Sequence, residues 1–508
     1  MNPLLMTDGY KTGHHLMYPD NTTLVYSNFT PRSIKYAPKG CIGVISFGQQ
    51  MTIKQIHDAF EKEFFSRPKD EVCGEMKKEL SLYLNTDYDV THFEKLHDLG
   101  YLPIAVKAIT EGTLVPVKIP VLTIYNTHPE FSWITNYLET IISNMLWKPM
   151  TSATIAYQYR KVLTSWMEKT DKERAWFIDW QGHDFSMRGM DSIDATISSG
   201  LGHATSFMGS DSLPVIHGAR KYYGTQDFIV GSVNATEHSV MCAGGKEDEI
   251  ETFRRLLNKF PTGILSVVSD TWDLWKVCTE HVVTLKEEIL ARNGKLVIRP
   301  DSGDPVDIIC GTYQAQTIPE NIKPLTPSEK GVIELLWDVF GGTVNEQGYK
   351  VLDSHIGAIY GDSITIDRAD QICGRLEAKG FASTNIVLGV GSFTYQYNTR
   401  DTFGFAMKAT YVEVTEQVGT SIGEVGTMNA PKVIGREIFK DPITDDGTKK
   451  SATGLLSVQK DEAGNLVLHD KVDWNAVQVG ELKDIYFNGT FMNQVTLDEI
   501  RNKIKALI

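Results

Sequence analysis

Apolar positions change their period twice along the 508-residue chain, and the changes divide it into three stretches. In the first, the run CIGVISF at 41–47 predicts a strand, and 51–65 place apolar residues along one face of a helix. Between 105 and 125, β-rich runs are broken by Glu-Gly and Pro, which predicts a meander; helical patterns come next over 131–148 and 151–169. From about 175, short apolar runs at 175–178, 264–268, 296–298, 358–360 and 386–388 alternate with helical patterns such as 246–260 and 366–380. That alternation predicts parallel βα units. From about 403 the chain returns to β-like runs, 405–414 among them, then a turn-rich tail and a terminal helix near 497–508. No repeat or low-complexity segment interrupts it.

The residues just after each run carry the chemistry. ILSVVS leads into Asp270-Thr271-Trp272-Asp273, and KLVI into Arg299-Pro300-Asp301-Ser302-Gly303-Asp304. GAIY leads into Gly361-Asp362-Ser363, and NIVL into Gly389-Val390-Gly391-Ser392. Asp and Gly are turn residues, so a plain turn accounts for any one ending. Four in succession point to the C-terminal face of a βα barrel, where strand ends converge. Gly361-Asp362 and Gly389-Val390-Gly391-Ser392 suit backbone N–H contacts to phosphate or, equally well, close strand-to-helix packing, since neither GxGxxG nor GxxxxGK[ST] occurs there. Arg299 and Asp301, two apart, share a direction: an arginine for phosphate or pyrophosphate, a carboxylate for ribose hydroxyls or Mg²⁺, or simply a local ion pair. In HDFSMRG (183–189), Phe185 and Arg188 precede a helical run; by pattern alone Phe185 reads as a core residue ahead of a stacking platform. His238, in Glu237-His238-Ser239, reads by itself as a structural histidine.

Composition narrows the classes. Apolar residues make up 42 % and charged ones 22 %, the balance of a folded protein of two or three domains, or of one large barrel with additions. A net charge of −14 disfavours nucleic acid and acidic lipid as partners, and means that an anionic substrate needs a locally basic pocket. Six scattered cysteines (41, 73, 242, 278, 310, 373) form no CxxC or Cys/His cluster, which fits reduced thiols rather than zinc or disulfides. With no signal-peptide pattern and no run near the roughly 20 apolar residues of a membrane span, a cytoplasmic location is expected. The residues alone thus describe an α/β enzyme for a sugar phosphate, expected to use Mg²⁺, with its acceptor open.

A resemblance names the acceptor. Thr7-Asp8-Gly9-Tyr10-Lys11, then Tyr18-Pro19-Asp20-Asn21-Thr22, HDFSMRG, GSDSLP around Asp211, KYYGTQD, Ala235-Thr236-Glu237-His238-Ser239, SVVSD, IRPDSGDP, YGDS, Thr399-Arg400-Asp401 and FKDP at 439–442 keep the order found in the nicotinamide phosphoribosyltransferases. The chain is similar to that type II phosphoribosyltransferase family over nearly its whole length. The resemblance implies an irregular βα barrel, assigned to 175–402, and a second α+β domain formed from both chain ends, 1–174 and 403–508. It implies a homodimer that joins nicotinamide to phosphoribosyl pyrophosphate with Mg²⁺, coupled to ATP hydrolysis, the nicotinate enzyme or a non-catalytic ligand-binding relative being the alternatives.

Carried over by position, Phe185 and a partner's Tyr10 sandwich the ring, and Asp211 receives the amide N–H. Arg188, His238 and Arg299 contact pyrophosphate; Asp301, Gly361 and Asp362 contact ribose; Gly391 and Ser392 cradle the 5′-phosphate. Arg32, Arg400, Lys408 and Lys440 line a phosphate passage. His238 is the phosphorylated residue, grouped with Arg299, Asp301 and Asp270 as catalytic. Mg²⁺ is expected to be held mainly by substrate oxygens. The sequence departs from the family at Ser186-Met187, Trp272, Ser392-Phe393 and Leu455; Lys449 and Lys450, before Leu455, match the family's ATP-side lysines.

Overall fold

A computed structural model describes residues 1–312, 324–361, 363–421, 427–440, 443 and 452–508, the side chains of 417–421 and 427–430 excepted. The chain divides into two compact units. One comprises Met1–Thr151, Lys221–Gly224 and Thr399–Lys503; the other comprises Ser152–Arg220, Thr225–Asn398 and Ile504–Ile508.

The first unit is built on a seven-stranded antiparallel sheet. Its order is Thr427–Glu437, Ala406–Ser421, Thr22–Thr30, Leu122–Asn126, Ile104–Ile109, Leu482–Phe487, Thr490–Phe491. Strands from the two chain ends therefore lie side by side: Asn28 pairs with Lys408, and Thr30 with Ala406. Ile104–Ile109 is buried at all six positions, as a central strand must be. Gln49–Phe60, the predicted helix, continues through a π-turn, Glu61–Phe65.

The two helices predicted over 131–148 and 151–169 are mostly one, Glu139–Thr170, with Pro149 inside it. A proline there removes one backbone hydrogen bond without forcing the helix to end. Its ring packs on Gly48, whose φ of +94° and missing side chain make room; a Cβ on Gly48 would meet the ring at 2.7 Å.

Burial raises the Glu111 carboxyl to about 7, against the N–H of Gln50, which donates to its Oε1 at 2.8 Å. Between an ordinary 4.5 and about 7 the folded chain keeps a proton that the unfolded chain has lost. Stability contributed by this group therefore falls as pH rises through that window and levels off above it. Glu111→Gln is expected to flatten this part of the profile. Denaturant melts at about pH 5 and pH 7 check it, and an unchanged slope would mean that Glu111 does not titrate there.

The second unit holds a seven-stranded parallel sheet. Its order is Gly209–Ser210, Gly182–Asp184, Ile386–Val390, Ile356–Tyr360, Asn293–Arg299, Thr262–Val268, Asn234–Ala235. A further parallel bridge joins Gly209, on one edge strand, to Gly231, just before the other. Helices Glu249–Lys259 and Ile366–Ala378 match their predicted patterns. The unit starts at Ser152, earlier than the alternation at 175, because Ile155, Tyr159, Leu163 and Met167 of the long helix pack into this core. The strand predicted at 175–178 is instead helical, Lys172–Phe177 and Ile178–Gln181, and the strand is Gly182–Asp184. In a strand, residues 176 and 178 would share a face. Here Trp176 is 63 % exposed and Ile178 1 %, so the chain must turn between them.

The fold is thus mixed α/β with a parallel sheet. All six cysteines are free thiols, and among the described residues no helix is long and apolar enough to cross a membrane.

Candidate active site

Parallel strands bring all their C-terminal ends to one edge of the sheet. In sheet order, the chain leaving that edge supplies Asp211, Phe185, Gly391-Ser392, Gly361, Arg299 with Asp301, Asp270, and then His238. Candidates more than 200 residues apart in sequence thereby come together in one unit.

At the charged end, Arg299 donates from Nε and Nη2 to the two Asp301 oxygens at 3.3 and 3.2 Å, and from Nη1 to the Thr236 carbonyl at 3.3 Å. The Asp270 Oδ2 accepts the backbone N–H groups of Asp301 and Ser302 at 2.8 and 2.7 Å, so it shapes the loop that carries Asp301. Its Oδ1 is buried without a hydrogen-bond partner among the described residues. His238 opens the helix His238–Ala243. Its Nδ1 lies 3.1 Å from the Thr271 hydroxyl, and its Nε2 faces Asp270 and Asp301 at 3.9 and 3.8 Å. Gly361 leaves room for Asp301: a Cβ there would sit 1.9 Å from its Oδ1.

At the other end, a cavity of about 380 Å³ is lined by His183, Phe185, Asp211, Ser232, Ser266 and Arg299, with apolar walls that include Val297 and Ile264. Phe185 is half-buried on this wall rather than in the core, with the Arg299 guanidinium 5.7 Å from its ring centroid. His183 tilts against it, centroids 4.5 Å apart. The His183 Nε2 lies 2.9 Å from the Asp211 Oδ1, and the Ser232 hydroxyl donates to the same oxygen. Burial raises the Asp211 carboxyl, but these two hydrogen bonds and the charge on Arg299 outweigh it and hold the group below its ordinary range. Its oxygens are therefore inequivalent: among the described residues, the hydrogen bonds fall on Oδ1. Ser266, midway along its strand, has a hydroxyl buried without a hydrogen-bond partner among the described residues.

His183, Ser232 and Ser266 were not singled out from sequence. His183 carries a signal, since it lies two residues before Phe185 on the strand side of the motif and shares its direction. Gly209 makes room for it, since a Cβ there would meet the His183 Nδ1 at 2.7 Å. The serines carry no signal, because strand pairing brings them in.

Of the remaining candidates in this unit, Arg188 is exposed in the turn Met187–Gly189, and a Cβ on Gly189 would strike the Ser392 Oγ at 2.1 Å. The Arg188 turn and the Ser392 loop therefore meet. Gly391 caps the short helix Ser392–Gln396. Asp362 lies outside the described residues, as do Lys449 and Lys450. Underneath, the buried Asp184 accepts the N–H of Ser186 at 2.9 Å and the Ser210 hydroxyl at 3.2 Å, tying the Phe185 loop to the strand before Asp211.

The first unit gathers the other five candidates. Tyr10, Arg32, Arg400, Lys408 and Lys440 line one cavity of about 670 Å³, together with Asp8, Glu139 and Asp401. Tyr10 is 65 % exposed. Burial, and then the charge on Arg400, lower the Arg32 guanidinium below its ordinary range, with Asp401 opposing. Its Nε donates to the Gly404 carbonyl at 3.0 Å. Such crowded cations suit a polyanion.

A parallel α/β sheet with arginine, carboxylates and glycines at its C-terminal edge is an arrangement suited to a phosphorylated ligand. The profile of the nicotinate phosphoribosyltransferase (NAPRTase) family matches residues 180–471, which include every candidate of the parallel-sheet unit. The chain belongs to that family. It is similar, at 46 % identity over 99 % of its length and 97 % of the relative's, to the nicotinamide phosphoribosyltransferase of Acinetobacter baylyi. Proteins of the same name from Xanthomonas campestris and Mycoplasma pneumoniae are 31 % and 35 % identical, covering 98 % and 89 % of the chain and 97 % and 94 % of the relatives. Human nicotinic acid phosphoribosyltransferase shares the fold with a TM-score of 0.53 at 15 % identity, covering 98 % of this chain and 93 % of that one. For nicotinate-nucleotide pyrophosphorylase from Pyrococcus furiosus the figures are 0.54, 13 %, 99 % and 95 %.

Proposed function

We propose that the protein transfers the phosphoribosyl group of phosphoribosyl pyrophosphate to nicotinamide, giving nicotinamide mononucleotide and pyrophosphate, a step of NAD salvage. The observation that carries this reading is the Asp211 carboxylate on the wall of the ring cavity, held ionised with its bonded oxygen turned toward His183 and Ser232. The other oxygen suits an amide –NH₂, which donates, and repels a carboxylate, which does not. Ser266 is suited to donate to the amide oxygen, and Phe185 to stack on the ring. A pyrophosphate-release assay with nicotinamide and nicotinate as competing acceptors tests the reading, and equal use of the two would sink it. Release with neither would favour a non-catalytic relative.

In the reaction, the pyridine nitrogen attacks C1 of the ribose as the C1–O bond breaks, and the bonding pair leaves with pyrophosphate. That nitrogen carries no proton, so no general base is required. Arg299 and Arg188 are suited to neutralise the leaving group, Asp301 to hold the ribose hydroxyls as positive character develops on the sugar, and Gly391-Ser392 to receive the 5′-phosphate. Asp362 belongs to the same proposed ribose contact. Among the described residues no three His, Cys, Asp or Glu side chains converge as a metal cage. The Asp270 Oδ1, which has no hydrogen-bond partner among the described residues, and nearby Asp301 nevertheless fit a Mg²⁺ held mainly by substrate oxygens. When bound, that ion would screen the pyrophosphate charge.

We read the parallel sheet as the wall of an irregular βα barrel, and the antiparallel unit as the second domain of a type II phosphoribosyltransferase. The Gly209–Gly231 bridge and the shared fold support this. A cytoplasmic location fits its free thiols.

We further propose a homodimer in which Tyr10 and the cations beside it serve the partner's ring cavity. That Tyr10, Arg32, Arg400, Lys408 and Lys440 share one cavity supports the idea, since they would then arrive together. Tyr10→Ala and Asp301→Ala chains, each inactive alone, are expected to regain activity when mixed, because each mixed dimer holds one intact site. Mixed dimers seen by mass without regained activity would overturn the shared site.

Coupling to ATP is assigned to His238. Its half-exposed ring, with Thr271 at one nitrogen and two carboxylates facing the other, suits a phosphate acceptor. His238→Ala is expected to abolish ATP stimulation while leaving some transfer. Full stimulation in the variant would return His238 to a structural role.

A further inference from the structure

Beneath the parallel-sheet site, a buried histidine that the transfer reading leaves unused joins two of its walls. His203 lies in the helix Ile193–Ala204 and is fully buried. Its Nδ1 is 2.7 Å from the Tyr395 hydroxyl, and its Nε2 is 3.0 Å from the Gly209 carbonyl. Tyr395 belongs to the short helix Ser392–Gln396, which begins at the cradle assigned to the 5′-phosphate. Gly209 opens the strand Gly209–Ser210, which leads directly into Asp211. One imidazole ring therefore bridges the phosphate end and the ring end of the site without reaching either ligand.

The partners fix its protons. A carbonyl only accepts, so Nε2 carries a proton and donates to Gly209. Burial, opposed by Asp184, pushes the His203 pKa down to about 4, so the ring is neutral at neutral pH and Nδ1 is bare. Burial also holds the Tyr395 phenol in its protonated form, and its O–H donates to Nδ1. Phe207 stacks on the imidazole at a centroid distance of 5.1 Å, and Tyr395 meets it edge-on at 5.7 Å, which fixes the ring plane. Gly209 continues the line: the space where its Cβ would lie, 2.7 Å from the His183 Nδ1, admits the ring whose Nε2 meets the Asp211 Oδ1. Contacts thus run unbroken from the cradle helix through Tyr395, His203 and Gly209 to His183 and Asp211.

We infer that His203 is a positioning residue, which sets the phosphate cradle at the separation from Asp211 that a single mononucleotide needs. The inference rests on the transfer reading, which puts the nicotinamide ring beside Asp211 and the 5′-phosphate at Gly391-Ser392. Both ends of one short ligand must be met at once, so the second contact adds to the first only while the two walls stay in register. Two buried hydrogen bonds through one flat ring hold that register more firmly than apolar packing would.

The test compares a ligand that spans both ends with ligands that reach only one. Nicotinamide mononucleotide, nicotinamide and ribose 5-phosphate are titrated separately into the full chain. Tyr395→Phe removes only the hydroxyl, and His203→Gln keeps an N–H for Gly209 while losing the acceptor for Tyr395. Each variant is expected to bind nicotinamide and ribose 5-phosphate within about threefold of the parent and the mononucleotide about tenfold more weakly. Combining the two should cost no more than either alone, because both break the same link. A purely structural role would instead weaken all three ligands alike, or lower the binding stoichiometry through unfolded chain at unchanged affinity. Either result, an unchanged mononucleotide affinity, or losses that add to about a hundredfold in the double variant, would overturn the inference. Failure of the transfer reading shows differently, in the parent itself: no pyrophosphate released from phosphoribosyl pyrophosphate and nicotinamide, and no mononucleotide bound, would overturn that reading and this inference with it.

Discussion

Gly361→Ala is expected to remove most transfer activity while leaving the fold intact. The new Cβ would lie 1.9 Å from the Asp301 Oδ1 and 3.1 Å from the Arg299 Nε. What it strikes first is the end of a side chain, so Asp301 can swing away at little cost to the core. The position has no left-handed φ, so alanine adds no backbone strain there. The swing separates Asp301 from Arg299, whose two hydrogen bonds to it, at 3.3 and 3.2 Å, set the arrangement proposed to hold ribose beside pyrophosphate. A misplacement of about 1 Å at a reacting centre costs on the order of 100-fold in rate. We therefore expect kcat/KM to fall by about 100-fold or more, with a melting temperature within a few degrees of the parent. Activity within about threefold of the parent would show that the Arg299–Asp301 geometry is not what the reaction uses.

Asp211→Asn is expected to shift the acceptor preference from nicotinamide toward nicotinate. The surroundings decide how the new amide lies. The Ser232 hydroxyl and His183 Nε2 meet the present Oδ1, and with the Nε2 proton in place both donate. Asparagine will turn its carbonyl oxygen toward those donors and its –NH₂ toward the ligand. An acceptor facing the ring substituent thereby becomes a donor, which opposes the –NH₂ of nicotinamide and suits a carboxylate. One hydrogen bond to a charged group contributes about 1.5–3 kcal/mol, so nicotinamide kcat/KM should fall roughly 10- to 150-fold. The nicotinamide-to-nicotinate ratio should fall by more, because nicotinate also loses a repulsive neighbour. Competition between the two acceptors reads the ratio directly. An unchanged ratio would remove Asp211 from acceptor choice and leave the amide to other groups of the cavity.

Most of the parallel unit was legible in order along the chain. The runs at 264–268, 296–298, 358–360 and 386–388 are strands, and each leads into the residues that stood out chemically. This works because a parallel strand buried on both faces needs a continuous apolar run, and the polar residues must gather where it ends. The same rule misled at 175–178, where an apolar run with one outward tryptophan is a helical turn. Pro149 misled in the opposite sense, since a glycine distant in sequence gives its ring a place and one helix replaces two.

The sequence by itself determined which residue types end each strand, the spacing of Arg299 and Asp301, the acidic surface and the family motifs, because these are local or compositional properties. Tertiary structure decided which strand ends are neighbours, and so brought Asp270 under the Asp301 loop and His183 and Ser232 onto one oxygen of Asp211. It also brought Tyr10 and Arg32 to the same cavity as Arg400, Lys408 and Lys440, through pairing between strands of the two chain ends. No local rule foretells such contacts. Strand order and register come from how the whole set of apolar faces is buried, and a hydrogen bond between residues 211 and 232 exists only once that packing is complete.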